Sequence, residues 1–151
     1  MVVQARIDID TTPFVLSGLT LAKDNETILQ DAGRTEPLVT RTLMAQVAAT
    51  KKWVPFTDET ATDGTAIAKG VFMGDDIAAA DLVAGDVTGV LVLVGGGAAT
   101  IAADKPVIEA SKTLDTVVGS GTLDEHRVED DLNRIGLYAE STVDISNYEN
   151  S

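Results

Sequence analysis

Lys52-Trp53-Val54-Pro55-Phe56, a polar run, and then Thr62-Asp63-Gly64-Thr65-Ala66-Ile67-Ala68-Lys69-Gly70-Val71 form the stretch whose reading decides the fold. It holds the only Trp of the chain and one of its three Phe. It reads as an apolar strand, a loop closed by Asp-Gly and a second strand, because Gly takes positive φ without steric cost. The expectation is a packed β-hairpin corner. Pro55 places the first strand at a sheet edge or marks its end. No nucleophile, base or metal-ligand set lies in the stretch, which points to architecture rather than chemistry.

Working outward, Ala, Thr and Val make up 54 of 151 residues, while aromatics are only 4%. Thr and Val suit pleated, half-buried surfaces, so the expected fold is mainly β. The architecture expected is a small β-barrel or β-sandwich-like body with one or two short helices and an extended N-terminal arm. Leu38 to Ala45 and Ala66 to Met73 have strand composition. Val90-Leu91-Val92-Leu93-Val94 is the most apolar strand, expected to be buried on both faces and broken by Gly95-Gly96-Gly97. Asp75 to Asp86 reads as one short helical turn ended by Gly85, or as a loop. Thr122-Leu123-Asp124-Glu125 has a capping-box pattern, and Val128, Leu132 and Ile135 give one apolar stripe, so a helix is expected over 122–135 with Gly136 as its C-cap. Leu137-Tyr138 and Thr142 to Ile145 look like a closing strand.

Residues 3–10 alternate apolar and polar, a period-two strand signal, and Pro13 and the polar stretch Lys23 to Glu36 follow. The chain is therefore divided into an N-terminal arm and linker (1–35) and a β-rich body (36–151). Two readings of residues 2–21 stand open. They form an arm that adds a strand to a partner's open sheet edge, or an edge strand of the protein's own sheet.

The formal net charge is −13, with −2 in residues 1–70 and −11 in residues 71–151. Such a balance repels phosphate backbones, so no direct nucleic-acid partner is expected. The N-terminus lacks the basic and apolar regions of a signal peptide, and the run Gly89 to Ile101 is too short and Gly-broken for a membrane span. With no Cys, thiolate metal sites and disulfides are excluded.

Candidate chemistry is thin. Gly95-Gly96-Gly97 lacks the Lys and Ser/Thr of a phosphate loop and reads as a turn. Asp58, Glu59, Asp63, Asp75 and Asp76 match no calcium-loop spacing and read as solvated loop acids. His126, the only His, reads as an exposed helical residue; a hydrolase would need a nucleophile and an orienting partner that nothing in the sequence nominates. No enzyme, cofactor or metal is expected. Trp53 and Phe56 are either core residues or anchors at a subunit interface, where aromatics are enriched.

Pro37-Leu38-Val39, Lys52-Trp53-Val54, Thr62-Asp63-Gly64-Thr65-Ala66 with Gly70-Val71, and Ala84-Gly85-Asp86-Val87 ahead of an apolar strand follow one another in an order. Over residues 36–95 that order resembles the head decoration, or capsid-stabilising, proteins of tailed bacteriophages, the lambda head protein D family. The resemblance implies a virion protein on the outer surface of the phage head. It would be a homotrimer at three-fold positions of the shell, bound to the major capsid protein through an N-terminal arm. Carried onto this chain, the capsid-binding arm is Val2, Val3, Ala5, Ile7, Ile9, Phe14, Val15 and Leu16, and Trp53 and Phe56 lie near subunit contacts. The arm here is strand-like rather than Pro-rich, and the C-terminal half is longer than the pattern. The other reading of the composition is a phage tail or surface β-module that binds carbohydrate or protein through the acidic loops at 57–65 and 75–86.

Overall fold

A computed structural model describes residues 14–57, 61–110, 112–118 and 125–140. Among the described residues, twelve elements follow in chain order. They are β1 (Val15–Ser17), β2 (Thr20–Ile28), β3 (Leu43–Gln46), β4 (Trp53–Pro55), β5 (Gly70–Phe72), α1 (Ala79–Ala84), β6 (Val87–Gly96), β7 (Ala99–Ala102), β8 (Val117–Val118), β9 (His126–Arg127), α2 (Val128–Arg134) and β10 (Leu137–Glu140). The protein is mainly β, as its composition indicates.

Five strands close a barrel in the order β2-β4-β3-β5-β6, and β6 pairs back onto β2. A second layer is a three-stranded sheet, β1-β7-β10, with β7 antiparallel to β1 and parallel to β10. The short pair β8-β9 leads into α2.

Period-two alternation makes one strand serve two cores. Ile28, Met44, Trp53, Phe72, Val90 and Val92 come from all five barrel strands and meet in one cluster, which is the barrel interior. Leu38 and Leu82 of α1 join it, so α1 contributes to sealing the barrel. The neighbouring residues Leu43, Ala45, Val71 and Leu93 face the other way. They pack against Phe14, Ala99 and Ile101 of the second layer, Val128 and Leu132 of α2, and Leu137 of β10. The stripe on α2 is thus the inter-layer contact, and Ile135 packs against its margin.

Several expectations are corrected by the structure. The stretch 52–71 is not a hairpin: β3 lies between β4 and β5 and pairs antiparallel with both. The Asp-Gly turn itself is present, with Gly64 at φ +98° and Asp63 accepting from the backbone N–H of Thr65. The residues after it run through Ala66 to Lys69 before pairing begins, which carries the chain past β3. The helix starts at Val128, not at Thr122; His126 and Arg127 pair with Val118 and Val117, and the backbone N–H of Arg127 donates to the Asp130 carboxylate at 2.9 Å to close the first turn. Residues 119–124, with the predicted cap, lie outside the described residues.

Gly95 and Gly96 do not break β6 but complete it. A Cβ on Gly95 would stand 2.9 Å from the carbonyl oxygen of Ile135, and one on Gly96 would stand 3.0 Å from that of Leu19, so the glycines permit close backbone approach between layers. The turn comes one residue later, at Gly97-Ala98. Burial of β6 is also less complete than its composition suggests. Val92 faces the barrel interior and Leu93 the inter-layer core, but Leu91 is 38% exposed.

Residues 14–28 of the segment read as arm and linker are built into the body. β2 is a barrel strand, and β1 is an edge strand of the protein's own sheet, the second of the two readings left open. Phe14 is a core residue. The β2–β6 ribbon shifts register between Lys23 and Glu26, where Asn25 takes φ +61° and Gly89 on the facing strand takes φ +71°.

Candidate functional site

The residues assigned to docking and contact fall into three groups. Val2, Val3, Ala5, Ile7 and Ile9 lie outside the described residues, as do the loop acids Asp58 and Glu59. Phe14 and Val15 belong to the inter-layer core, Phe14 fully and Val15 at its edge. Leu16 points away from that core and is 37% exposed. Two leucines that sequence reasoning passed over join it in the same β1–β2 segment: Leu19 and Leu21, at 83% and 65% exposure. The signal was present in Val15-Leu16-Ser17-Gly18-Leu19-Thr20-Leu21, but alternation alone does not say which face of a strand is covered.

Trp53 and Phe56 are both buried within a single copy of the chain, which is the core reading. Trp53 occupies the barrel interior and Phe56 the inter-layer core. The indole Nε1–H of Trp53 donates to Glu26 Oε1 at 3.0 Å, so the one polar atom of the ring is satisfied as the ring goes under.

Three acids of these loops have structural partners. Asp76 accepts the backbone N–H of Thr40 at 2.8 Å. Asp86 accepts the N–H of Gln30 and the Nζ of Lys52, and the Lys52 hydrogen bond holds its carboxyl below the usual range. Asp63 accepts from both the N–H and the hydroxyl of Thr65. Among the described residues, no cluster of three or more His, Asp or Glu is arranged to hold a metal ion.

Two charged assemblies sit deeper. The Arg34 guanidinium reaches both carboxylate oxygens of Glu109 and also donates to the carbonyls of Glu36 and Pro37. Four donations to fixed acceptors make it a clasp between the 29–37 loop and the segment ending at Ala110. The Glu109 hydrogen bond pushes the Arg34 pKa further up.

The second assembly corrects the reading of His126 as an exposed helical residue. His126 is in β9, and its Nε2 stands 3.0 Å from Oδ1 of Asp131, whose side chain is fully buried. Asp131 Oδ2 accepts the backbone N–H of Ala68 at 3.0 Å, and Arg134 approaches Oδ1 at 3.6 Å. One carboxylate therefore ties α2 to β9 and to the chain entering β5. Burial pushes its pKa up, opposed by the Ala68 hydrogen bond and by His126 and Arg134. The arrangement is a cross-link between elements; it is not held open toward solvent.

No protein-family model matches this chain, and comparison with curated proteins gives no match. No helix among the described residues is long and apolar enough to cross a membrane.

Proposed function

We propose that this protein decorates the head of a tailed bacteriophage. It docks on the outer surface of the shell as a homotrimer, contacts the major capsid protein and strengthens the particle by binding alone. The observation that carries the reading is the exposed leucine group Leu16, Leu19 and Leu21. Leu16 is the last of the residues that the resemblance assigns to the shell, and Leu19 and Leu21 come within five positions of it, in the turn after β1 and at the start of β2. Large aliphatic side chains left in water together mark interaction surfaces. The order of motifs over 36–95 supports the same reading, and the sequence nominates no catalytic set.

The physics suits a clamp. A shell pressed outward by packed DNA is strengthened by many weak bridges between neighbouring subunits. A trimer multiplies each weak contact through effective concentration. The strong acidity of residues 71–151 keeps a densely studded particle soluble and gives the protein no affinity for the DNA beneath.

The fold dictates how the arm is tested. Deleting residues 1–21 would remove Phe14, β1 and the start of β2, and so would damage the body. Deletion of residues 1–12 spares all three. The expected result is unchanged melting temperature with loss of co-sedimentation with phage heads. The double substitution Leu19→Ser with Leu21→Ser is expected to weaken attachment similarly at unchanged stability. Full attachment by both variants overturns the reading.

A further inference from the structure

A groove of about 420 Å³ runs beside the buried carboxylate of Asp131. Lys23 of β2, Lys69 ahead of β5 and Arg134 at the end of α2 line it, over an apolar floor that includes Trp53, Ile67, Val94 and Ile135. We infer that this groove is a binding site for an extended, acidic segment of a partner protein in which aliphatic side chains alternate with carboxylates. The inference does not depend on the decoration reading.

In a chain of net charge −13, three cations line this one groove against a single carboxylate. That carboxylate is turned inward: Asp131 is 1% exposed, accepts the N–H of Ala68 and lies against His126 and Arg134. The groove is therefore locally positive on an acidic molecule.

The cations are also available. Among the described residues, neither Lys23 nor Lys69 forms a salt bridge, although acidic side chains outnumber basic ones 24 to 11 in the sequence. Arg134 has only Asp131 at 3.6 Å, and its side chain is 58% exposed. Elsewhere, Lys52 and Arg34 are held by Asp86 and Glu109. Cations left unpaired among so many acids are poised for carboxylates from outside.

The floor selects among anions. Aliphatic and aromatic carbon favours a ligand that also buries apolar groups. A strand provides this by alternation, with one face on the floor and carboxylates toward the lysine rim. The volume suits a few residues of peptide. A nucleic acid matches less well, because its charge extends along the whole strand into the field of an acidic protein. A short acidic segment carries its charge only into the groove, and charges beyond roughly 8–10 Å are screened at ordinary ionic strength.

The test is calorimetric titration of the full-length protein with a blocked hexapeptide of alternating leucine and aspartate. Emission of Trp53, the only Trp and part of the floor, is followed in parallel. The peptide is expected to bind and change the Trp53 emission. Its leucine–asparagine counterpart should bind at least about fivefold more weakly, and so should the aspartate peptide to a Lys23→Ala, Lys69→Ala protein of unchanged melting temperature. Affinity should also fall as salt is raised from about 0.1 M to about 1 M, where the screening length drops to roughly 3 Å. No binding overturns the inference. Equal affinity for the asparagine peptide, or no effect of the double substitution, also overturns it. An oligothymidylate that binds as tightly as the acidic peptide overturns the choice of a protein segment.

Discussion

Gly136→Ala should lower stability by about 3 kcal/mol or more, among the largest effects available to a single added methyl group in this protein. Gly136 sits between α2 and β10 with φ +86°, a conformation that costs an L-residue about 1–2 kcal/mol. Space is the larger problem. A Cβ there would overlap the carbonyl oxygen of Gly96, which is backbone and cannot swing aside. That carbonyl belongs to the end of β6, while the carbonyl of Gly136 itself accepts the N–H of Ala99 at the start of β7. Relief therefore means moving the barrel and the second layer apart, with loss of packing against Leu132 and Leu137. For a chain of this length, the expected drop in melting temperature is roughly 6–12 °C. Thermal denaturation of the variant checks it. A shift under about 2 °C would show that the two layers can slide past each other at that turn, contrary to the packing described.

Asp131→Ala is expected to cost about 2–3 kcal/mol, by a different route. The substitution strands the buried N–H of Ala68, which then has no acceptor, and removes the anion beside His126. Arg134 loses less, because its side chain is 58% exposed and water replaces the contact. Asp131→Asn keeps an oxygen for Ala68 and a similar volume, so its loss should be the smaller of the two.

The pair of variants also reads out ionisation. Burial raises the Asp131 pKa in the folded protein, so the native state holds the proton more tightly than the unfolded chain does. The resulting stabilisation is complete below the ordinary carboxylate pKa and is lost as pH rises through the raised folded-state value. Denaturation across acid to neutral pH should therefore show the advantage of the wild-type protein over Asp131→Asn shrinking as pH increases. An advantage that grows with pH would mean that His126 and Arg134 outweigh burial, and the stated cause would be wrong.

The Asp131 cross-link was also the least legible feature in the sequence. Its two ends, Ala68 and His126, are far apart in the chain from each other, and a backbone N–H leaves no mark in a residue pattern. Asp131 itself looks like one more acid in Glu129-Asp130-Asp131. What alternation and composition do reveal is which residues can be strand. Val90 and Val92 are where such reading puts them, in the core of a β-rich body, and Trp53 takes the core place among the two left open for it. Pairing order is another matter. β4 and β5 are adjacent among the strands in sequence but not in space, because strand neighbours are chosen by closure of the whole barrel and not by the loop between them. The helix boundary was missed for a related reason: residues 126 and 127 follow the cap pattern at Thr122 and read as the helix it opens, and only the pairing with β8 makes them strand. The C-terminal stop at Gly136 was legible, since a positive φ has few other tenants.

The leucines at the β1–β2 corner lie between these cases. Their hydrophobicity is plain in the sequence, but their exposure emerges only when Phe14 and Val15 have taken the covered face. The proposed clamp depends on that exposure together with self-association. Native mass measurement of the purified full-length protein across the micromolar range tests it most directly. The expected species is a trimer of about 47 kDa, three copies of the 15.8 kDa chain. A single 15.8 kDa species at every concentration would contradict it.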